Sequence, residues 1–121
     1  MTHTILTVDD SRTMRDMLRM SLVAAGYRVI QAEDGVHGLE VLAGESPAVI
    51  VTDINMPRMD GFGFIEAVRQ EASHRVTPVL VLTTEVDAAK KQRAKAAGAT
   101  GWIVKPFDPA KLVDVIRRVA A

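Results

Sequence analysis

Acidic side chains stand directly after two apolar segments of the sequence. Asp9 and Asp10 follow the first of these segments, and Asp53 ends a later one. If the three carboxyl groups meet in the folded chain, two of them about 4 Å apart would repel by roughly 4 kcal/mol at an effective dielectric constant of about 20. A divalent cation would offset that repulsion best. A ligand set made only of oxygen atoms suits Mg²⁺, with Mn²⁺ as the alternative.

A hydroxyl group and an amine complete this set of residues. Thr83 ends a fourth apolar segment, and Lys105 follows the fifth. Lys105 could bind an anionic group, and the hydroxyl of Thr83 could donate a hydrogen bond to it. A metal ion, a hydroxyl and an ammonium group around one aspartate form a device for transferring a phosphoryl group onto that carboxylate.

The segments that must position these side chains are of two alternating kinds. Short apolar runs that resemble strands occupy 4–8, 28–32, 48–52, 78–83 and 101–104, and the third and fourth are apolar almost throughout. Helix-length stretches with one apolar face follow them at about 12–25, 35–43, 61–70, 87–97 and 109–119. This fivefold alternation predicts an α/β fold, a parallel sheet with helices on both faces. In such sheets, ligands bind beyond the carboxyl ends of the strands.

Two of the predicted helices differ in what they offer to the core. The first has an apolar stripe that includes Met14 and Met17, which we assign to core packing. The fourth offers mostly alanine, at Ala88, Ala89, Ala94, Ala96 and Ala97. Alanine buries much less apolar surface than leucine, so we expect this helix to be weakly anchored and to shift readily. Its cations form either a solvated face or a partner surface: Lys90, Lys91, Arg93 and Lys95.

The composition excludes several classes of protein. The chain has 121 residues, enough for one domain with a hydrophobic core. It has no cysteine for disulfides or thiolate metal sites, and its 15 basic and 15 acidic residues leave no excess for binding nucleic acid. No apolar run approaches the roughly 20 residues of a membrane-spanning helix, and the first residues lack a signal-peptide pattern. We therefore expect a cytoplasmic protein that binds neither nucleic acid nor membrane.

Four short motifs at strand ends reveal a family resemblance that covers nearly the whole chain. They are Val8-Asp9-Asp10-Ser11, Asp53-Ile54-Asn55-Met56-Pro57-Arg58-Met59-Asp60-Gly61, Leu82-Thr83-Thr84-Glu85 and Val104-Lys105-Pro106-Phe107. Taken together and in order, they resemble a response-regulator receiver domain, most closely the stand-alone chemotaxis regulators of the CheY type. The resemblance implies a flavodoxin-like, doubly wound (βα)5 fold whose five parallel strands have the order 2-1-3-4-5.

The resemblance implies a role for each residue of the acidic set. Asp53 would be the phosphoacceptor. Asp10, together with Asp53 and the backbone carbonyl of Asn55, would bind Mg²⁺. Asp9 would hold a coordinated water and so belong to the same metal site.

The same resemblance implies how the transferred group would be held. Thr83 would hydrogen-bond the phosphoryl group once it arrives, and Lys105 would pair with it. Pro106 would follow a cis peptide bond that aims the lysine. Trp102 stands where Tyr or Phe is more usual and is either a switch residue or an ordinary half-buried strand aromatic. Thr84 stands where a smaller residue is common, so its bulk could narrow access to the phosphoryl group.

As a family member, the chain would act in two-component signalling. It would take its phosphoryl group from a histidine kinase or its phosphotransfer domain. It would catalyse its own phosphorylation and dephosphorylation, with no turnover of an independent substrate. Residues 1–121 would form a single receiver domain without an output domain, expected to be a monomer.

The phosphorylated form would change the surface of the fourth helix, fifth strand and fifth helix to bind a target, such as a flagellar motor switch protein. The alternative is a phosphate sink or a kinase-modulating receiver.

Simpler roles and two rival functions also fit parts of the same pattern. Asp9 and Asp10 could simply begin a helix, Thr83 could be a helix cap and Lys105 could lie along the surface. A flavin-binding electron carrier shares the fold, but two aspartates after the first strand would repel a flavin phosphate. A phosphohydrolase with an aspartyl intermediate would resemble Asp-x-Asp-x-Thr, whereas the segment that begins at Asp53 lacks the second acid and the threonine.

Overall fold

The computed structural model describes residues 3–120, and the secondary structure agrees with the sequence pattern to within one residue at each end. None of the described helices is both long and apolar enough to cross a membrane. A short 3₁₀ helix at Ala72–His74 is an element that the pattern did not predict. The strands and helices are β1 (Thr4–Val8), α1 (Arg12–Ala24), β2 (Arg28–Ala32), α2 (Gly35–Leu42), β3 (Val49–Thr52), α3 (Gly61–Gln70), β4 (Val79–Thr83), α4 (Ala88–Ala97), β5 (Gly101–Val104) and α5 (Pro109–Ala120).

The five strands form one parallel sheet in the order β2-β1-β3-β4-β5, which confirms the implied order. The strand β2 lies on one side of β1, and β3 to β5 lie on the other. The position between β1 and β3 is therefore the topological switch point of the sheet, where ligands bind in folds of this type. Val8 of β1 lies opposite Thr52 of β3. The residues that follow them, Asp9 and Asp53, therefore leave the sheet side by side.

Helices cover both faces of the sheet. Side chains of α2, α3 and α4 pack on one face, around Leu42, Phe64 and Ala94. Side chains of α1 and α5 pack on the other, around Leu18 and Ile116. All described residues of β3 and β4 are buried, as their nearly continuous apolar sequences predicted.

Polar side chains start all five of the described α-helices at the same edge of the sheet. The capping residues are Ser11, Asp34, Asp60, Asp87 and Asp108, and each accepts a hydrogen bond from a backbone N–H in the first turn of the helix that follows. Each cap satisfies N–H groups that have no partner within the helix. Because each helix directly follows a strand of the parallel sheet, the helices begin at the carboxyl ends of the strands, the edge where Asp9 and Asp53 lie.

Two predictions about helix packing are wrong. Met17 is 47% exposed, because the buried stripe of α1 runs through Leu18 and Leu22, with Met14 partly buried beside it. In α4, only Ala94 is buried and Ala97 is partly buried. Those two alanines are three residues apart and share a face, since a helix turns about 100° per residue. Three other alanines predicted to face the core are exposed: Ala88, Ala89 and Ala96.

Candidate functional site

Three carboxyl groups meet at the carboxyl edge of the sheet. Asp9, Asp10 and Asp53 each offer a carboxylate oxygen, and these oxygens all lie within 4.8 Å of one another. Asp9 is buried and Asp10 is exposed, so the cluster reaches from the interior to the surface. The structure thus brings together the three acids that the sequence selected, because β1 and β3 are neighbours in register.

Asp53 is held by bonds to both of its carboxylate oxygens. The backbone N–H of Ile54 donates to Oδ1 at 2.7 Å, and the ammonium group of Lys105 donates to Oδ2 at 3.0 Å. The start of α3 also passes close by. A Cβ atom placed on Gly61 would collide with the carbonyl oxygen of Asp53, so no larger residue fits there without movement. The two hydrogen bonds fix the carboxylate at the end of β3, while the start of α3 packs against the backbone of the same residue.

Lys105 connects two strand ends that are remote in sequence. Its Nζ donates to Asp9 Oδ2 at 2.8 Å as well as to Asp53 Oδ2, and its side chain is 10% exposed. The backbone N–H of Lys105 donates to the carbonyl of Thr83, which brings the end of β5 alongside the end of β4. The hydrogen bonds of Nζ show that the amine points into the acidic cluster rather than along the surface. The Lys105–Pro106 peptide bond is cis, as the resemblance implied.

Burial and hydrogen bonding act in opposite directions on Lys105 and on Asp9, and the pKa of each group is raised. Burial acts to lower the pKa of Lys105, but its hydrogen bonds to two carboxylates outweigh burial and raise that pKa. Burial raises the pKa of Asp9, against the lowering effect of its bonds from Lys105 and from the Ser11 N–H. Burial therefore prevails at Asp9, with a smaller contribution from the like charge of Asp53, whereas pairing with two carboxylates prevails at Lys105.

The acidic cluster fits a hard divalent cation. Lys105 brings one positive charge to a cluster of three carboxyl groups, so negative charge remains that a cation would neutralise. The donors are all oxygen atoms, the type that Mg²⁺ prefers. Asp10 is exposed, which leaves the cluster open to ions from solvent.

Thr83 is fully buried at the end of β4. Its hydroxyl oxygen accepts a hydrogen bond from the N–H of Glu85 at 3.3 Å, and α4 is capped by Asp87 instead. The proposal that Thr83 caps a helix is therefore wrong. Thr84 is exposed beside it.

A bridge joins the loop after β3 to the loop after β4. The side-chain amide of Asn55 donates to Glu85 at 3.2 Å, and the ammonium group of Lys90 lies 3.1 Å from the same carboxylate. The hydrogen bonds from Lys90 and Asn55 lower the pKa of Glu85. The loop that carries Asn55 is thereby connected to the first turn of α4.

Trp102 lies away from the acidic cluster, on β5. It is half-buried and packs against the core under α4. With Lys91 and Lys95 it lines a groove of about 460 Å³ between α4 and β5.

Sequence reasoning did not single out two arginines near the site. Arg15 donates from its guanidinium to the backbone carbonyl of Asp9 at 2.7 Å. Arg58 makes a two-pronged hydrogen bond to Asp34, at 2.8 and 3.0 Å. Arg58 appears in a motif quoted above, but nothing in the sequence indicates its partner, which lies 24 residues away.

Comparison with known proteins gives consistent relatives. The profile of the response regulator receiver domain family matches residues 5–117. Chemotaxis protein CheY1 of Helicobacter pylori is 38% identical over 117 residues, covering 95% of this chain and 94% of that protein. The "Probable transcriptional regulator ycf27" of Porphyridium aerugineum is 36% identical over 119 residues, and the match covers 95% of this chain and 48% of that protein.

The fold is also similar to solved structures. The chemotaxis response regulator CheY4 of Vibrio cholerae superposes with a TM-score of 0.93 at 45% sequence identity, covering 98% of this chain and 99% of that one. The chain thus spans about half the length of the ycf27 regulator and nearly all of the two chemotaxis proteins. Together with the four motifs and the parallel sheet, these matches show that the chain belongs to the response regulator receiver domain family, in its CheY-like form.

Proposed function

We propose that this chain is a phosphorylation-activated response regulator in which Asp53 accepts a phosphoryl group from the phosphohistidine of a histidine kinase or its phosphotransfer domain. A carboxylate oxygen of Asp53 attacks phosphorus, the bond from phosphorus to the histidine nitrogen breaks, and that nitrogen keeps the electron pair and takes up a proton. The observation that carries the proposal is the ammonium group of Lys105, which bonds both Asp9 and Asp53. An amine held there can pair with a phosphoryl group on Asp53.

Metal binding is part of the proposal. Asp10, Asp53 and the backbone carbonyl of Asn55 would hold Mg²⁺, with Asp9 placed to hold a coordinated water; the same donors would accept Mn²⁺. When bound, the ion supplies positive charge that neutralises the phosphoryl oxygens. The cluster of carboxylate oxygens within 4.8 Å supports this assignment.

Lys105 and Thr83 have the donors that this reaction needs. An ammonium group has three N–H bonds, and two of those on Lys105 are used by Asp9 and Asp53, which leaves one for a phosphoryl oxygen. The hydroxyl oxygen of Thr83 accepts from Glu85, so its hydrogen is free to be donated. A movement of Thr83 toward the phosphoryl group would carry the loop through Glu85 and α4 with it.

The output of the switch is proposed to be a chemotaxis response, since the relatives that this chain spans almost completely carry chemotaxis names. Residues 1–121 would act as a single receiver domain, in the cytoplasm, as a monomer. The surface formed by α4, β5 and α5, with Trp102 as the switch residue, would bind a target such as a flagellar motor switch protein. A phosphate sink or a kinase-modulating receiver would need no such target, so phosphorylation-dependent binding to a motor switch protein separates the two.

Intact-mass measurement after incubation with Mg²⁺ and acetyl phosphate tests the proposal. We expect one added phosphoryl group on the wild-type chain and none on Asp53→Asn. Asp60→Asn is the matched control, because Asp60 is exposed and an asparagine can still cap α3. It should be phosphorylated like the wild type. Phosphorylation of Asp53→Asn, or of no variant at all, would refute the proposal, and Trp102 fluorescence in the same samples shows whether the tryptophan responds.

A further inference from the structure

The loop from β3 to α3 contains a residue in an unfavourable backbone conformation. Arg58 has φ of 64°, which is the left-handed region. Residues other than Gly, Asn and Asp seldom adopt this conformation, because the Cβ atom comes too close to the following carbonyl oxygen. The same loop carries Asn55, whose backbone carbonyl is proposed above as a ligand of Mg²⁺. Something in the structure must therefore stabilise Arg58 in this conformation.

The compensation comes from Asp34, which lies before α2. Arg58 donates from Nε to Asp34 Oδ2 at 2.8 Å and from Nη2 to Oδ1 at 3.0 Å. The Asp34 side chain is 4% exposed, whereas that of Arg58 is 53% exposed. Paired hydrogen bonds between a guanidinium and a carboxylate are among the strongest and most directional in proteins. Asp34 also caps α2 through Oδ1, so its own position is fixed by that helix.

Backbone contacts complete the connection between α2 and this loop. The N–H of Gly35 donates to the carbonyl of Met59 at 3.3 Å. A Cβ atom on Gly35 would lie 2.8 Å from the Met59 side chain, so the turn before α2 and the loop are in close contact. The loop is thus held at its outer side by the α2 turn and at its inner side by Ile54, which is 2% exposed.

We propose that Arg58 and Asp34 are positioning residues for the metal site. The pair holds the left-handed turn at Arg58, and the turn sets where the loop presents the carbonyl of Asn55. The inference rests on the proposed function, because it assumes that this carbonyl is a ligand of Mg²⁺. Neither Arg58 nor Asp34 touches the ion in this scheme; their effect reaches it through three residues of backbone.

Three variants distinguish an effect of the turn conformation on Mg²⁺ binding from an effect of the charge of the Arg58 side chain. Arg58→Gly removes the ion pair, but glycine adopts a positive φ without cost. Arg58→Lys keeps the positive charge but loses the two-pronged bond while the backbone cost remains. Asp34→Asn retains an oxygen that can cap α2 but loses the charged pair. If the pair acts by holding the turn, Arg58→Lys weakens Mg²⁺ binding relative to the wild type and weakens it more than Arg58→Gly does. If only the charge at this position matters, Arg58→Lys binds Mg²⁺ like the wild type, because lysine keeps that charge.

The matched control is the other arginine–carboxylate pair with two hydrogen bonds in the described part of the chain. The guanidinium of Arg28 donates to the Glu45 carboxylate at 3.3 and 3.2 Å. Arg28 begins β2 and lies opposite Thr4, the first residue of β1, so the pair lies at the amino edge of the sheet. Glu45→Gln breaks a similar pair far from the acidic cluster. It should leave Mg²⁺ affinity unchanged.

The measurement is the dissociation constant for Mg²⁺ by calorimetry, with the rate of phosphorylation by acetyl phosphate followed across Mg²⁺ concentrations. We expect Arg58→Lys and Asp34→Asn to weaken binding by about tenfold, the lower end for groups that orient metal ligands. Their rates should approach the wild-type rate at saturating Mg²⁺. Urea denaturation of each variant shows that a folded protein is being compared.

The outcomes distinguish this inference from the proposed function. If the wild type binds Mg²⁺, Asp10→Asn abolishes binding, and the Arg58 and Asp34 variants bind like Glu45→Gln, the positioning inference alone is overturned. Weaker binding by Arg58→Gly than by Arg58→Lys also overturns it. If Asp10→Asn binds Mg²⁺ as the wild type does, the metal assignment is wrong. The positioning inference depends on that assignment and is then wrong as well.

Discussion

The helices α3 and α4 have equal length but are anchored very differently. Each has ten residues and follows a strand whose end contributes to the site. Five residues of α3 are buried: Gly61, Phe62, Phe64, Ile65 and Val68. Only Ala94 is buried in α4. Since burial of apolar surface is what holds a helix to a sheet, α3 should be much harder to displace than α4.

The remaining contacts of α4 are polar or lie at its ends. The guanidinium of Arg93 stacks over the ring of Phe62, 4.1 Å from its centre. Arg69 of α3 donates to the carbonyl of Gly98, just after α4, at 3.0 and 2.8 Å. Contacts of this kind re-form easily after a small shift, whereas a packed phenylalanine does not. We therefore expect the Asp53 side of the site to stay fixed and the Thr83 side to move when Asp53 is phosphorylated.

The largest expected difference is in stability. Phe64→Ala should lower the free energy of unfolding by about 3–5 kcal/mol, because it opens a cavity in the core. Ala94→Gly, at the buried position of α4, should cost only about 1 kcal/mol, mostly from helix propensity. Urea denaturation monitored by circular dichroism measures both. Equal losses for the two variants would contradict the view that α4 is weakly anchored.

Amide hydrogen exchange addresses movement rather than overall stability. With Mg²⁺ and beryllium fluoride as a phosphoryl analogue, we expect altered protection across residues 84–104. Residues 61–70 should keep their protection, since α3 stays packed while the Thr83 loop and α4 shift. Asp53→Asn with the same additions is the control. Unchanged protection across 84–104 in the wild type would disprove the responsive role of α4.

The smallest expected effect concerns two ion pairs. Arg58–Asp34 holds the loop before α3, and Lys90–Glu85 lies at the start of α4. Hydrogen bonds from Arg58 lower the pKa of Asp34, and Lys90 with Asn55 lowers that of Glu85. A lowered carboxyl pKa contributes stability above the unfolded value, about 3.9 for Asp and about 4.3 for Glu, that is lost as pH falls through the folded value. Asp34→Asn should therefore destabilise the protein at pH near 7, and the loss should shrink as the pH falls below the unfolded pKa of about 3.9 toward the lower folded value.

Glu85→Gln should show the same trend with a smaller amplitude, because the Glu85 side chain is 26% exposed and that of Asp34 is 4% exposed. Urea midpoints across the pH range give both profiles. A larger pH-dependent loss for Glu85→Gln would show that the bridge to α4 is the stronger of the two connections.

Periodicity predicted every strand and α-helix of the described chain to within one residue, because each element depends on the pattern of its own neighbours. The gathering of Asp9, Asp10 and Asp53 was expected on the condition that β1 and β3 are neighbours, and that strand order came from the family resemblance and not from periodicity. Which residues of a helix face the core was predicted less well. Met17 and three alanines of α4 are exposed because the packing partner of a helix selects its buried face, and a helix with many apolar positions offers more than one.

The sequence by itself determined where chain segments become strands and helices and which polar residues follow the strands. Only the tertiary structure decided which of those residues touch. Lys105 meets Asp9 across 96 residues of chain and Asp53 across 52, and Arg58 meets Asp34 across 24. Such contacts depend on strand order, register and side-chain direction acting together. A local sequence pattern does not indicate which distant residues will be in contact. Those contacts form only when the whole chain packs.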